Sequence, residues 1–240
     1  DLDDYWVLES GHIMYRHYLS TRLDEQIREH IRLADHVTTT TEHLAQKIRV
    51  LNKNVTILPN EPYEAYQQYL PNPSEEPDPH LFKIGWFGGA QHQEDIALVE
   101  HSFGLLAHDR SLDGKYKIYL GGWNENPVYV DYERMLSCNG KNANYGRIQA
   151  ADIYSYVGGY NFINATIAPL RDTKFNRLKS ELKVVEAGWM YKAIIASETI
   201  PYTDIIVHGE NGLLIPYGKK DAWYKAVRKF INDPGYARHL

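Results

Sequence analysis

The sequence predicts an α/β protein built as two doubly wound lobes of mostly parallel sheet, the first lobe only partly represented. Three observations lead there. Short apolar, β-branched runs alternate with segments whose apolar residues recur at helical spacing, the rhythm of parallel strands joined by crossover helices. Six of the eleven prolines crowd into residues 59–79 and divide the chain. Diglycines close two of the runs, Gly88-Gly89 and Gly121-Gly122, where a strand would hand over to a helix.

Residues 1–60 read as the C-terminal part of the first lobe. Asp1 to Trp6 has the look of a strand's tail, so both the chain's ends are read as cut. Thr21, with Asp24 three positions on, reads as a capping box opening a helix with Leu23, Ile27, Ile31 and Ala34 on one face. A β-branched strand over 36–40 follows, then a helix capped by Thr41 with Leu44, Ile48 and Leu51 in line, then a strand over 55–58. Residues 61–81 are the linker, because prolines hold the backbone extended and break helices and central strands.

Residues 82–240 form the second lobe. The expected order is a strand over 82–87, a helix with Ile96, Val99, Phe103 and Leu106, and a strand over 116–120. A helix over 152–157, a strand over 165–170, a helix over 178–189 and a strand over 193–197 come next. A turn at Asn211-Gly212 and a helix from Lys219 complete it.

The composition narrows the function. Hydrophobic residues make up 43% of the 240 and charged residues 24%, the balance of a globular protein. A net charge of −5 argues against nucleic acid or a membrane surface as the partner, and no apolar run is long enough to span a bilayer. The single cysteine, Cys138, rules out an internal disulfide framework and fits a reducing compartment. A cytoplasmic location is expected, with a membrane-peripheral one as the alternative.

Ligands of open α/β sheets bind at the carboxyl ends of the strands, so the residues just after each strand carry the chemistry. Gly88 and Gly89 would let a ligand approach the backbone at a helix N-terminus, which favours an anion; a plain tight turn explains them equally well. Arg171, Asp172, Lys174 and Asn176 make a polar loop after the 165–170 strand. Lys179, Lys183 and Glu186, spaced by four and three, would share one helix face, either as a solvated surface ladder or as a site for an anion bearing hydroxyl groups. His92 is the histidine best placed to meet a ligand. No His-Glu-x-x-His pattern or close ligand pair predicts a metal.

The stretch "LKSELKVVEAGWMYKAIIASETIPYTDIIVHGENGLLIP", with "ADHVTTTTEHL", "ILPN" and "KIGWFGG" before it, resembles the GT-B glycosyltransferases of the large retaining group 1, or family 4, type. The resemblance covers nearly the whole chain. It implies two Rossmann-like lobes, with most of the donor-binding one present, and transfer of a hexosyl group from a nucleotide diphosphate sugar to an acceptor hydroxyl. Retention without a metal or other cofactor is part of that expectation, as is a glycan, lipid-linked or protein acceptor. Glu186 matches the glutamate that holds the ribose hydroxyls, Lys179 and then Lys183 the bases that neutralise the diphosphate, and Gly88-Gly89 the loop against diphosphate and sugar. Leu178 stands where the family often has a second, sugar-contacting glutamate, so His92, Asp172 or Asn176 would approach the donor sugar instead. The glycine loop, "GGAQHQED", also lacks the family's usual Arg and Lys.

Three other readings stay open. Asp1-Leu2-Asp3-Asp4 could hold Mg²⁺ as in GT-A enzymes or haloacid dehalogenase-type phosphatases, or face an acceptor. A non-hydrolysing sugar-nucleotide epimerase shares the fold. A non-catalytic glycosyltransferase-like binding module would need no second glutamate.

Overall fold

The computed structural model describes residues 1–72, 78 and 80–240. Sixteen α-helices and β-strands are described. They are α1 (Tyr15–Thr21), α2 (Leu23–Leu33), β1 (Val37–Thr39), α3 (Glu42–Arg49), β2 (Val55–Ile57), β3 (Phe82–Phe87), α4 (Gln93–His108) and β4 (Tyr116–Trp123). Then come α5 (Pro127–Leu136), β5 (Tyr145–Gln149), β6 (Ala165–Ala168), α6 (Leu182–Trp189), β7 (Ala193–Ser197), β8 (Leu213–Ile215), α7 (Ala222–Asn232) and α8 (Pro234–His239).

Strands β1 and β2 pair in parallel as a small sheet of their own. The other six form one parallel sheet in the order β5-β4-β3-β6-β7-β8. The chain runs outward from β3 through β4 to β5, then returns to β6 on the other side of β3 and runs outward again. The crevice therefore opens at the carboxyl ends of β3 and β6, where the order reverses. Alternation across the pleat sorts the apolar side chains. Phe82, Ile84, Trp86 and Ile195 face a cluster with α4, α5 and α7, whereas Phe87, Ile194 and Ala196 face one containing Tyr160, Ala187 and Tyr202. A third cluster, Trp6, Ile31, Val37, Leu44 and Ile48, belongs to the first 60 residues, with Leu178 inserted from the far side.

Several elements differ from the sequence expectation. Thr21 is no N-cap: its hydroxyl bonds back to the His17 carbonyl, and Arg22, in the left-handed region at φ 52°, separates α1 from α2. Thr41 does cap α3, accepting from the Leu44 N–H at 3.2 Å. The helix over 152–157 is replaced by turns and a 3₁₀ segment at Tyr156–Phe162, since Asp152 spends its carboxylate on Tyr154 N and Ser155 and the segment carries two glycines. Helices α1, α5 and α8 and strands β5 and β8 are additional. The linker is not simply extended: Glu64–Tyr69 forms a 3₁₀ helix that buries Tyr66 in the second cluster and bonds Tyr66 to the Ile153 carbonyl. Residues 73–77 and 79 of that linker lie outside the described residues. Among the described residues, no helix is long and apolar enough to cross a membrane.

Candidate functional site

A cleft of about 480 Å³ lies at the reversal point of the six-stranded sheet. Its walls include Gly88, Gly89 and His92 from the loop after β3, Gly122 at the end of β4, and Asn124 and Tyr129 beyond it. Lys179, Lys183, Glu186 and Tyr156 close the second side, and Asp3, Asp4 and Asn60 the first-lobe side. Six expected residues thus meet: Gly88, Gly89, His92, Lys179, Lys183 and Glu186.

The route by which they meet is not the expected one. The helix foreseen over 178–189 begins only at Leu182; Asn176–Leu178 is a 3₁₀ turn and Lys179 is extended, at φ −69° and ψ 164°. Lys179 therefore shares no helix face with Lys183 and Glu186. Two anchors divert the chain. The buried Asn176 amide is bonded to the Arg171 carbonyl at 3.0 Å and to Asp95 at 3.2 Å, and Leu178 is buried in the first lobe's cluster. Lys179 then lies 4.7 Å over the Phe175 ring and 3.5 Å from Asp4.

Glu186 is 6% exposed. Tyr156 donates to its Oε1 and Tyr160 to its Oε2, the latter at 3.0 Å. Burial first, and then the Glu186 charge, push both phenols well above their ordinary range, so they stay protonated donors. An ionised carboxylate has about four lone-pair positions. Two donors therefore leave it capacity to accept from hydroxyl groups in the cleft. Tyr160 is fixed in turn by stacking on Phe87, with ring centroids 4.4 Å apart.

Lys183 donates to the Phe87 carbonyl and sits 5.3 Å over the Trp86 ring. Burial, and then Lys179, lower its pKa, opposed by Glu186 and Asp95. Gly88 is required by packing, because a Cβ there would come within 2.6 Å of Trp86 and 3.1 Å of the Lys183 Nζ. Gly89 is different: a Cβ would meet nothing within 4 Å and its φ is not positive. Neither sterics nor backbone strain demands glycine there. Tyr129 and Tyr132 of α5 donate to the carbonyls of Gly88 and Gly89, at 2.8 and 3.2 Å, and hold the loop.

His92 immediately precedes α4, with its Nδ1 2.9 Å from Asp95. Burial, the largest influence, lowers its pKa below the ordinary histidine value. Asp172 and Asn176, expected near a donor sugar, are not among the residues lining the cleft. Asp172 is bound by Arg177 at 2.5 and 2.7 Å and by Thr199 at 3.0 Å, and it lines a smaller cavity of about 190 Å³. Asn176 stands behind His92, joined to it through Asp95. The loop after β6 folds on its own polar groups and turns both side chains away. Tyr156, Tyr160, Tyr129 and Asp95 were not foreseen as site residues; nineteen tyrosines spread along the chain offered no signal to single out three. Among the described residues, no group of three His, Cys, Asp or Glu side chains is placed to hold a metal ion.

No protein-family model matches the chain, and no curated protein matches it in sequence. Solved structures do match. The Anabaena protein HepE in complex with UDP-glucose is 14% identical with a TM-score of 0.67, over 93% of this chain and 61% of its own. Sucrose-phosphate synthase from Thermosynechococcus elongatus is 15% identical with a TM-score of 0.59, over 92% and 54%. The C-terminal domain of a glycosyl transferase group 1 family protein, LpcC from Francisella tularensis, is 16% identical with a TM-score of 0.51, over 75% and 88%. At these identities the likeness is one of fold, that of the GT-B glycosyltransferases. The chain spans about 54–61% of the length of the first two.

Proposed function

We propose that this chain forms the donor-binding lobe and the adjoining edge of the acceptor lobe of a glycosyltransferase. It would transfer a hexosyl group from a nucleotide diphosphate sugar to an acceptor hydroxyl, with retention and without a metal. The observation that carries the reading is the meeting of a buried carboxylate, two lysines and a side-chain-free glycine in one cleft at the sheet's reversal point. Glu186, steadied by Tyr156 and Tyr160, accepts from the ribose hydroxyls. Lys183 has hydrogens beyond the one given to Phe87 and, with Lys179, meets the diphosphate. As the anomeric C–O bond breaks, its electron pair passes to the leaving diphosphate, where fixed positive charge is most useful. Asp3 and Asp4 sit across the cleft, on the side from which an acceptor would approach. HepE and sucrose-phosphate synthase, whose fold this chain has, support the class of reaction.

Gly89→Ala separates ligand space from turn geometry. A methyl group there meets no protein atom, so thermal stability is expected to stay within about 1 kcal/mol of the parent, the usual cost of glycine replacement at a tolerant position. Affinity for a nucleoside diphosphate, measured by titration calorimetry, is expected to fall at least several-fold. Unchanged affinity would remove Gly89 from the site. A binding module without catalysis is favoured by one observation, the burial of Leu178 where a sugar-contacting carboxylate would stand. Donor hydrolysis assayed over a panel of nucleotide sugars distinguishes the two, since a module binds and releases its ligand unchanged.

A further inference from the structure

We propose that His92 is a diphosphate ligand that engages by taking up a proton, with Asp95 holding the far edge of its ring. This rests on the donor-site reading above and adds to it the residue that stands in for the missing arginine and lysine of the glycine loop. Asp95, 6% exposed on the first turn of α4, is fully committed. Its Oδ1 accepts from the Arg171 N–H at 2.8 Å and the Asn176 amide at 3.2 Å, and its Oδ2 faces His92 Nδ1 at 2.9 Å. A carboxylate so placed has no hydrogen to give, so Nδ1 carries the proton. The neutral ring then presents a bare lone pair at Nε2, which has no hydrogen-bond partner among the described residues. The backbone N–H of His92 donates to Tyr132 at 2.8 Å, and the ring lies edge-to-face with Trp86, centroids 5.9 Å apart.

A lone pair repels a phosphate oxygen; an Nε2–H binds one. The groups facing the ring decide which is present. Burial, Lys183 of α6 and Lys179 before it all disfavour the imidazolium, against Asp95, so the free protein keeps His92 neutral around pH 7. A diphosphate in the cleft reverses two of those influences at once: it neutralises the lysines and puts negative charge beside Nε2. The imidazolium it draws in donates Nε2–H to a phosphate oxygen and Nδ1–H to Asp95. The wall that lacks a permanent cation thus gains one only when the anion arrives.

The test is titration calorimetry of the parent chain and His92→Gln with UDP, GDP and ADP near pH 7, in buffers of different ionisation enthalpy. Glutamine keeps a donor near the same place but does not titrate, so comparison with it cancels the ligand's own phosphate ionisation. The parent is expected to take up a measurable fraction of a proton more than the variant. Its affinity relative to the variant is expected to fall as pH rises from 7 to 8, by up to about tenfold per pH unit. If His92→Gln does not fold, the ring NMR shifts of His92 with and without UDP report the same protonation in the parent. Intact binding with equal proton counts, or an unshifted ring, overturns the inference and leaves the donor site standing. If none of the three nucleotides binds the parent, the donor-site reading falls and takes this inference with it.

Discussion

Glu186 shows how a single carboxylate can be both structural and functional. Two phenols bond to it in the wall of the cleft, and an ionised carboxylate has lone pairs beyond those two bonds. If they hold both ribose hydroxyls, Glu186→Ala is expected to weaken nucleoside binding by about 1.5–3 kcal/mol, the range for hydrogen bonds to a charged group. Titration of the nucleoside alone checks this, because the diphosphate contacts are then absent. Equal affinity in parent and variant would make Glu186 a buried tether for Tyr156 and Tyr160 and nothing more.

The packing around β3 sets the shape of the loop that follows it. Phe87, on the face opposite Trp86, stacks on Tyr160 and lies where other residues would have side chains: a Cβ on Gly121 would come within 2.1 Å of its ring. Gly121→Ala is therefore expected to destabilise the fold by about 1–3 kcal/mol, the cost of overpacking, measured by denaturant unfolding. Full stability in that variant would mean that Phe87 is free to move, and the support of Tyr160 with it. A second element is tied by Asp109, at the end of α4, which accepts from Ser111, Tyr224 and Arg228. Those hydrogen bonds, Ser111 first, pull its carboxyl from the ordinary 3.8 to about 2. Because the folded value is the lower one, this stabilisation is complete above the ordinary value and is lost as pH falls toward 2. Unfolding midpoints of Asp109→Asn are expected to fall less steeply than the parent's between pH 4 and 2. Parallel profiles would remove Asp109 as a source of acid sensitivity.

The first 60 residues are fastened to the second lobe by polar contacts as well as by Leu178. Asn60 donates to Ser180 at 2.7 Å, His43 meets Asp204 at 2.8 Å, and Asp4 pairs with Lys179 at 3.5 Å. The last pair sets an internal anion against the ligand. Lys179→Ala is expected to weaken a nucleoside diphosphate more than the nucleoside, since only the diphosphate carries the charge that lysine meets. Asp4→Asn is expected to do the opposite, strengthening the diphosphate by up to about 1 kcal/mol, the worth of a half-exposed ion pair. Calorimetry of the two variants decides it. A loss common to both ligands in Lys179→Ala would mark Lys179 as a strut between the lobes.

Much of this architecture is legible in local sequence. The apolar runs at 82–87, 165–168 and 193–197, the helix faces of α3 and α4 and the diglycine after β3 follow from residue periodicity and backbone preference, which act over a few neighbours. Glu186 and Lys183 could be placed together for the same reason, being three residues apart on one helix. The other cleft contacts are of a different kind. Lys179 meets Asp4 across 175 positions, Tyr160 reaches Glu186 across 26, and Asn176 reaches Asp95 across 81. Such partners are selected by the order and register of parallel strands and by where buried polar groups find donors. The same causes delayed the start of the expected helix to Leu182, turned Asp172 and Asn176 away and folded part of the linker onto the sheet. Periodicity reports which face of an element is buried. Only the packed sheet determines what that face meets.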